Sequence, residues 1–136
     1  MEARKKDQFE QHPNFPSGEW TGFYTYSQGP GVDKEPMAFL LEFKDGIILG
    51  SGSDPVGPFS WRGTYDIEQM TCRIIKSYLG KHEVFYEGHV DENGIWGMWK
   101  ILWNSGGFHI WPKGHEAGEA LKAKSVQLKE ITLPMV

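Results

Sequence analysis

Lys76 is the ionisable side chain that falls in phase with an apolar strand face, which it shares with Cys72, Ile74 and Tyr78. A lysine near the end of such a strand either snorkels from the rim or contacts a ligand carboxylate or phosphate. Three phenols, Tyr24, Tyr65 and Tyr86, fall on similar apolar faces, and buried phenols need hydrogen-bond partners. Converging on one interior, they would orient a molecule at the end of an apolar pocket. The rings that would wall it are Trp20, Trp61, Trp99 and Phe108.

Other chemistries find less support. The five histidines, His12, His82, His89, His109 and His115, form no close ligand pair, so no metal is expected. His89 and His109 alternate out of phase with the apolar face and are expected to point outward. There is no Ser-His-Asp order and no G-x-S-x-G elbow. The glycine-rich stretch 50–59 lacks the Gly-Lys-Ser/Thr ending of a phosphate loop. Within it, Asp54 before Pro55 reads as a turn former, and the stretch could lie over a pocket as a lid. The single cysteine, Cys72, forms no internal disulfide and builds no cysteine-rich zinc site. No cofactor is implied.

The net charge of −4 over 136 residues, with Arg4-Lys5-Lys6 as the only basic run, argues against nucleic acid as a partner. No apolar run approaches the roughly 20 residues of a membrane helix or resembles a leader. A cytoplasmic protein without a membrane partner is the expectation.

These side chains need strands to position them. With 14% aromatic residues and 17 glycines, the composition favours β structure. Residues 1–18 read as a tail or surface segment, and 19–136 as one domain. Alternation predicts strands near 19–26, 36–44, 47–53, 58–66, 69–78, 83–91, 95–103 and 107–112. Residues 115–124 are helix-compatible, and 126–133 alternate like a further strand. Asp45-Gly46 and Asn93-Gly94 suit two-residue type I′ hairpins. The first turn sets Phe43 opposite Ile48, Leu41 opposite Gly50 and Phe39 opposite Gly52. The second sets Gly88 opposite Trp99, Tyr86 opposite Ile101 and Glu87 opposite Lys100. Trp20-x-Gly22-x-Tyr24 recurs as Trp61-x-Gly63-x-Tyr65, so mid-strand glycine answers a geometric need: sharp coiling or a close neighbour. The fold class is all-β, a single antiparallel up-and-down barrel of about eight strands, closed so that no edge stays open.

An opening strand with Trp20, Gly22 and Tyr24, a later Gly63 and Tyr65, and a late Gly97 and Trp99 resemble the calycin-type barrels, most of all the avidin and streptavidin family. The resemblance implies a barrel mouth that holds a small molecule between tryptophans. In that family an Asn in the first strand contacts biotin; here Gly22 and Phe23 follow Thr21, so biotin is not the implied ligand.

Three readings stay open. The leading one is a binding barrel that holds a small apolar or aromatic ligand through Trp20, Tyr24, Trp61, Tyr65, Lys76, Tyr86, Trp99 and Phe108. The second is a structural or protein-interaction barrel with a filled core. The third is a barrel enzyme, such as an isomerase or cyclase, with Lys76 as its only candidate acid or base. Phe23, Phe85, Trp96, Leu102 and Trp111 fall on the outer face. The tail or the 115–124 segment would cover them, or they would join barrel walls in a homo-oligomer.

Overall fold

A computed structural model describes residues 8–26 and 32–114; the expected segments 115–124 and 126–133 lie outside them. Eight strands close into one antiparallel barrel in chain order. They are β1 (Gly18–Tyr24), β2 (Glu35–Lys44), β3 (Ile47–Asp54), β4 (Gly57–Asp66), β5 (Thr71–Tyr78), β6 (Glu83–Asp91), β7 (Gly94–Ile101) and β8 (Asn104–Pro112). Closure comes from β1 pairing with β8, Gly22 opposite Ile110. The alternation that predicted the strands sorts their side chains: in β6, Val84, Tyr86, Gly88 and Val90 are buried and their neighbours are not.

The first hairpin has the expected register, with Phe43 opposite Ile48, Leu41 opposite Gly50 and Phe39 opposite Gly52. Asp45 and Gly46 both take positive φ, 53° and 79°, as a type I′ turn requires. The second hairpin is shifted by two residues. Tyr86 faces Trp99, Gly88 faces Gly97 and Glu87 faces Met98. The turn residues are Glu92 and Asn93, held by the Asn93 N–H donating to Asp91 Oδ1 at 2.8 Å. Gly94 is used otherwise: a Cβ there would strike the Ile110 carbonyl of β8. A two-residue slip keeps every side chain on its face, so the inward set survives while individual pairs change. The expected Glu87–Lys100 pair is replaced by Glu87 with Arg73, 3.5 Å apart. Gly88 is covered by Ile95 and Phe108 rather than Trp99.

The mid-strand glycines answer close approach. At Gly63 a Cβ would run into the Arg73 carbonyl and Ile74 Cα of β5, so this pair of strands is closer than any side chain permits.

The two ends differ. At one end residues 8–17 cross the opening. Phe15, fully buried, lies 5.5 Å from Phe43 and 4.9 Å from Tyr65 between ring centroids. The segment is tied by Glu10 N–H to the Phe43 carbonyl (2.8 Å), Phe43 N–H to Ser17 Oγ (2.9 Å), Tyr65 OH to Glu10 Oε1 (2.7 Å) and Trp20 Nε1–H to the Pro16 carbonyl (2.9 Å). The other end carries the turns after β3, β5 and β7, where the candidate site lies.

Candidate functional site

Inside the second end, β5 carries Lys76 inward in the phase set by Cys72, Ile74 and Tyr78. It does not snorkel. Its side chain is 0% exposed, and so is that of Asp54, whose Oδ2 lies 2.5 Å from Nζ. Burying an ion is costly unless it is paired and hydrogen-bonded, and here both conditions are met. Nζ also lies 3.0 Å from Tyr78 OH, 3.1 Å from Tyr86 OH and 3.3 Å from Met37 Sδ. Aromatic faces complete the shell, with centroids of Phe59 at 4.5 Å, Tyr24 at 4.7 Å and Trp61 at 5.4 Å. Ring quadrupoles favour a cation in that position.

Asp54 serves two structures. As the last residue of β3 its Oδ1 accepts the Val56 N–H at 2.9 Å and the Gly57 N–H at 3.4 Å, which is the turn role read from the sequence. Its Oδ2 accepts from Lys76 and, at 2.6 Å, from the Tyr78 hydroxyl. The turn therefore aims the counter-ion at the interior lysine.

Above this pair a cavity of about 210 Å³ opens at the barrel mouth, with Tyr24, Tyr78, Tyr86 and Trp99 among its lining residues. Val56, Val84, Ile101 and Trp103 supply apolar wall. Tyr26, His82 and Asn104 add polar groups to the lining, and in the turns at this end Leu79, Leu102 and Trp103 are 78%, 94% and 74% exposed. The expected strand through residue 103 stops at Ile101, because Leu102 and Trp103 form the turn into β8. A larger hollow of about 590 Å³ lies against the outer wall of β4 to β7, where Ile75, Phe85 and Met98 sit among Arg73, Glu87 and Lys100. Lys76 and Asp54 line neither space. The mouth cavity is lined by Tyr78, whose hydroxyl bonds both of them, and by Tyr24, and the larger hollow is not, so the smaller mouth cavity is the better candidate.

Among the described residues, two buried polar atoms in the upper interior find no hydrogen-bond partner, the Tyr24 hydroxyl and Trp61 Nε1. Tyr26 and Tyr78 stand near enough to Tyr24 to influence its titration, yet neither is in hydrogen-bonding geometry with it. A third donor is latent. Tyr86 accepts from Lys76, which leaves its own hydroxyl proton available.

The eight residues expected at a site separate into two groups. Tyr24, Trp61, Lys76, Tyr86, Trp99 and Phe108 belong to the upper interior: three of their rings surround Lys76, Phe108 stacks edge-on to Tyr86 at 4.8 Å, and Trp99 lines the cavity. Trp20 and Tyr65 pack instead with Phe43 at the closed end, away from the mouth. Asp54 and Tyr78 complete the cluster although the sequence places neither among the ligand-contacting residues. Asp54 follows Gly50 and Gly52 in the inward phase of β3, but as the residue before Pro55 it reads as a turn former. His109 is also unlike its expectation: it lies on the outer face but is buried, with Nε2 2.7 Å from the Asn93 carbonyl and its ring 5.1 Å from Trp111.

Burial shapes the titration of the site. It pulls the Lys76 amine down to about 8, against the opposing hydrogen bond and charge of Asp54. It raises the phenols of Tyr24, Tyr78 and Tyr86, moves Tyr65 up to about 12 and moves Cys72 up to about 12. For each raised acid the unfolded chain ionises first, so stability falls as pH rises past the unfolded value. Lys76 acts oppositely, because the folded amine loses its proton first and stability rises from about pH 8. The expected result is little change near pH 8–9 and a steep loss above about pH 10, near 1.4 kcal/mol per pH unit for each group. Urea melts between pH 8 and 11 check this; a midpoint unchanged from 9.5 to 11 would contradict the burial of the phenols.

Among known proteins, no family model, no curated protein and no solved structure matches the chain. The likeness to calycin-type barrels therefore rests on the closed eight-strand antiparallel architecture.

Proposed function

We propose that the protein binds a small, partly aromatic molecule at the barrel mouth, through a hydrogen-bond acceptor such as a carbonyl or carboxylate. The carrying observation is the buried Tyr24 hydroxyl, without a partner among the described residues, on a ring that lines the cavity and faces Lys76. Trp61 Nε1 is a second such donor, on a ring that packs on Lys76 but does not line the cavity. A buried donor without a partner costs about 1–3 kcal/mol, and a ligand acceptor would recover that cost. The cavity, about 210 Å³, is below the roughly 300–1,000 Å³ of sites for drug-sized ligands, so the ligand is small. Its apolar part would rest against Val84, Trp99 and Ile101.

The charge balance supports an acceptor rather than a cationic ligand. Lys76 already occupies the aromatic shell, and Asp54 already carries its counter-charge. The free capacity is in donors.

Benzoate and related small aromatic acids and carbonyl compounds are suitable probes, followed by tryptophan fluorescence because Trp99 and Trp103 line the cavity. A saturable change with a raised melting midpoint is the expected result. No response to any of them would leave the Lys76–Asp54 pair as a structural element of a filled barrel.

A further inference from the structure

The Lys76 amine has a nucleophile's surroundings as well as a cation's. It does not line the mouth cavity itself but lies one side chain away, bonded to two tyrosines that do, Tyr78 and Tyr86, whose hydroxyls are 3.0 and 3.1 Å from Nζ. A desolvated lysine among aromatic rings is the setting in which an amine attacks a carbonyl, and the four-carbon lysine stem gives it reach. A proton acceptor lies in hydrogen-bonding contact, Asp54 Oδ2. A donor for a carbonyl oxygen stands on the same cavity wall, the unpartnered Tyr24 hydroxyl.

We propose that Lys76 captures a small aromatic aldehyde at the barrel mouth as a protonated imine held against Asp54. This rests on the binding reading above, since the aldehyde oxygen is the acceptor that the free donors take. Lys76 first passes a proton to Asp54, which leaves a neutral amine beside a carboxylic acid. The nitrogen lone pair forms the C–N bond while the carbonyl π pair moves to oxygen, which takes the proton from Asp54. The nitrogen, now cationic, returns a proton to the Asp54 carboxylate, and a neutral carbinolamine results. Its hydroxyl leaves as water with that same proton, and the nitrogen lone pair closes the C=N bond. The sum is one ammonium and one aldehyde giving one protonated imine and one water. No oxidant or reductant is consumed, and Asp54 ends as it began, a carboxylate facing a cation.

The depressed amine, about 8, makes the neutral form available near neutral pH, where exposed lysines remain protonated. Lys81 and Lys100, both on exposed positions, supply the internal comparison.

The test uses benzaldehyde with cyanoborohydride to fix any imine, and intact mass with peptide mapping to locate it. One benzyl group per chain on Lys76, formed at least tenfold faster than on Lys81 or Lys100, is the expected outcome. Saturating benzoate should slow that labelling, since it competes for the donors but forms no imine. Lys76→Arg keeps a cation beside Asp54 and should lose the adduct while remaining folded by circular dichroism. Labelling spread evenly over surface lysines, or unchanged in Lys76→Arg, would overturn the proposal. If benzaldehyde and benzoate both bind by fluorescence while only surface lysines are trapped, imine capture is wrong and the binding reading stands. If neither binds, both are wrong.

Discussion

Asp54→Ala is expected to cost about 3–5 kcal/mol of folding stability, because it strands the fully buried Lys76 ammonium without its counter-ion. Folded domains hold only about 5–15 kcal/mol in total, so the variant should sit near its unfolding threshold. Part of the loss comes from the turn, where the Val56 and Gly57 N–H groups also lose their acceptor. Asp54→Asn separates the two contributions: it keeps an Oδ1 for the turn and replaces the charged acceptor Oδ2 with an amide NH2, which can accept from neither Lys76 nor Tyr78. The charge effect should dominate. Lys76→Met in the Asp54→Asn background should recover much of the loss, since no uncompensated ammonium then remains in the interior. Urea melts of Asp54→Asn, of Lys76→Met and of the double variant give the coupling energy directly. A loss under about 1 kcal/mol for Asp54→Ala would mean that water reaches Lys76.

Phe15→Ala is expected to cost a similar amount, about 3–5 kcal/mol. Phe15 precedes every strand, yet it is fully buried against Phe43 and Tyr65. Truncating it removes the ring contacts and opens a cavity beneath the barrel floor, and the backbone ties of residues 8–17 are too few to compensate. Chemical denaturation measures the loss, and limited proteolysis within residues 8–17 shows whether the closure has loosened. A cost below about 1 kcal/mol would mean that these residues lie on the barrel without sealing it.

Much of the architecture is legible because strand alternation and closure are local arguments. Asp45-Gly46 shows the turn type, and the register of β2 against β3 follows from it residue by residue. Asn93-Gly94 offered the same signal and misled, because glycine was needed at 94 for the approach of β8, and Asp91 could form the turn one position earlier. A contact from a distant strand outweighed the local preference. Lys76 was legible as an inward ionisable group by its phase. Its partner was not, since Asp54 has a complete local explanation as a turn residue and its second oxygen faces a strand twenty-two positions away. Phe15 was hidden for a different reason: a polar, proline-marked segment carries no periodicity that could show one ring as core. Trp20 and Tyr65 share the inward phase of the other aromatics, but position along a strand decides which end of the barrel a ring serves, and composition does not show that.

Tyr24→Phe measures the central claim most directly, because it deletes one unpartnered hydroxyl and nothing else. If that hydroxyl is held for a ligand, the variant should be more stable than the parent by about 1 kcal/mol, as a buried group without a partner is removed. It should also bind benzoate roughly fivefold to tenfold more weakly, the worth of about one hydrogen bond. Stability gained together with affinity lost is the predicted result, read from one melting curve and one fluorescence titration. A variant that melts lower than the parent, or binds benzoate equally well, would contradict a ligand site at the barrel mouth.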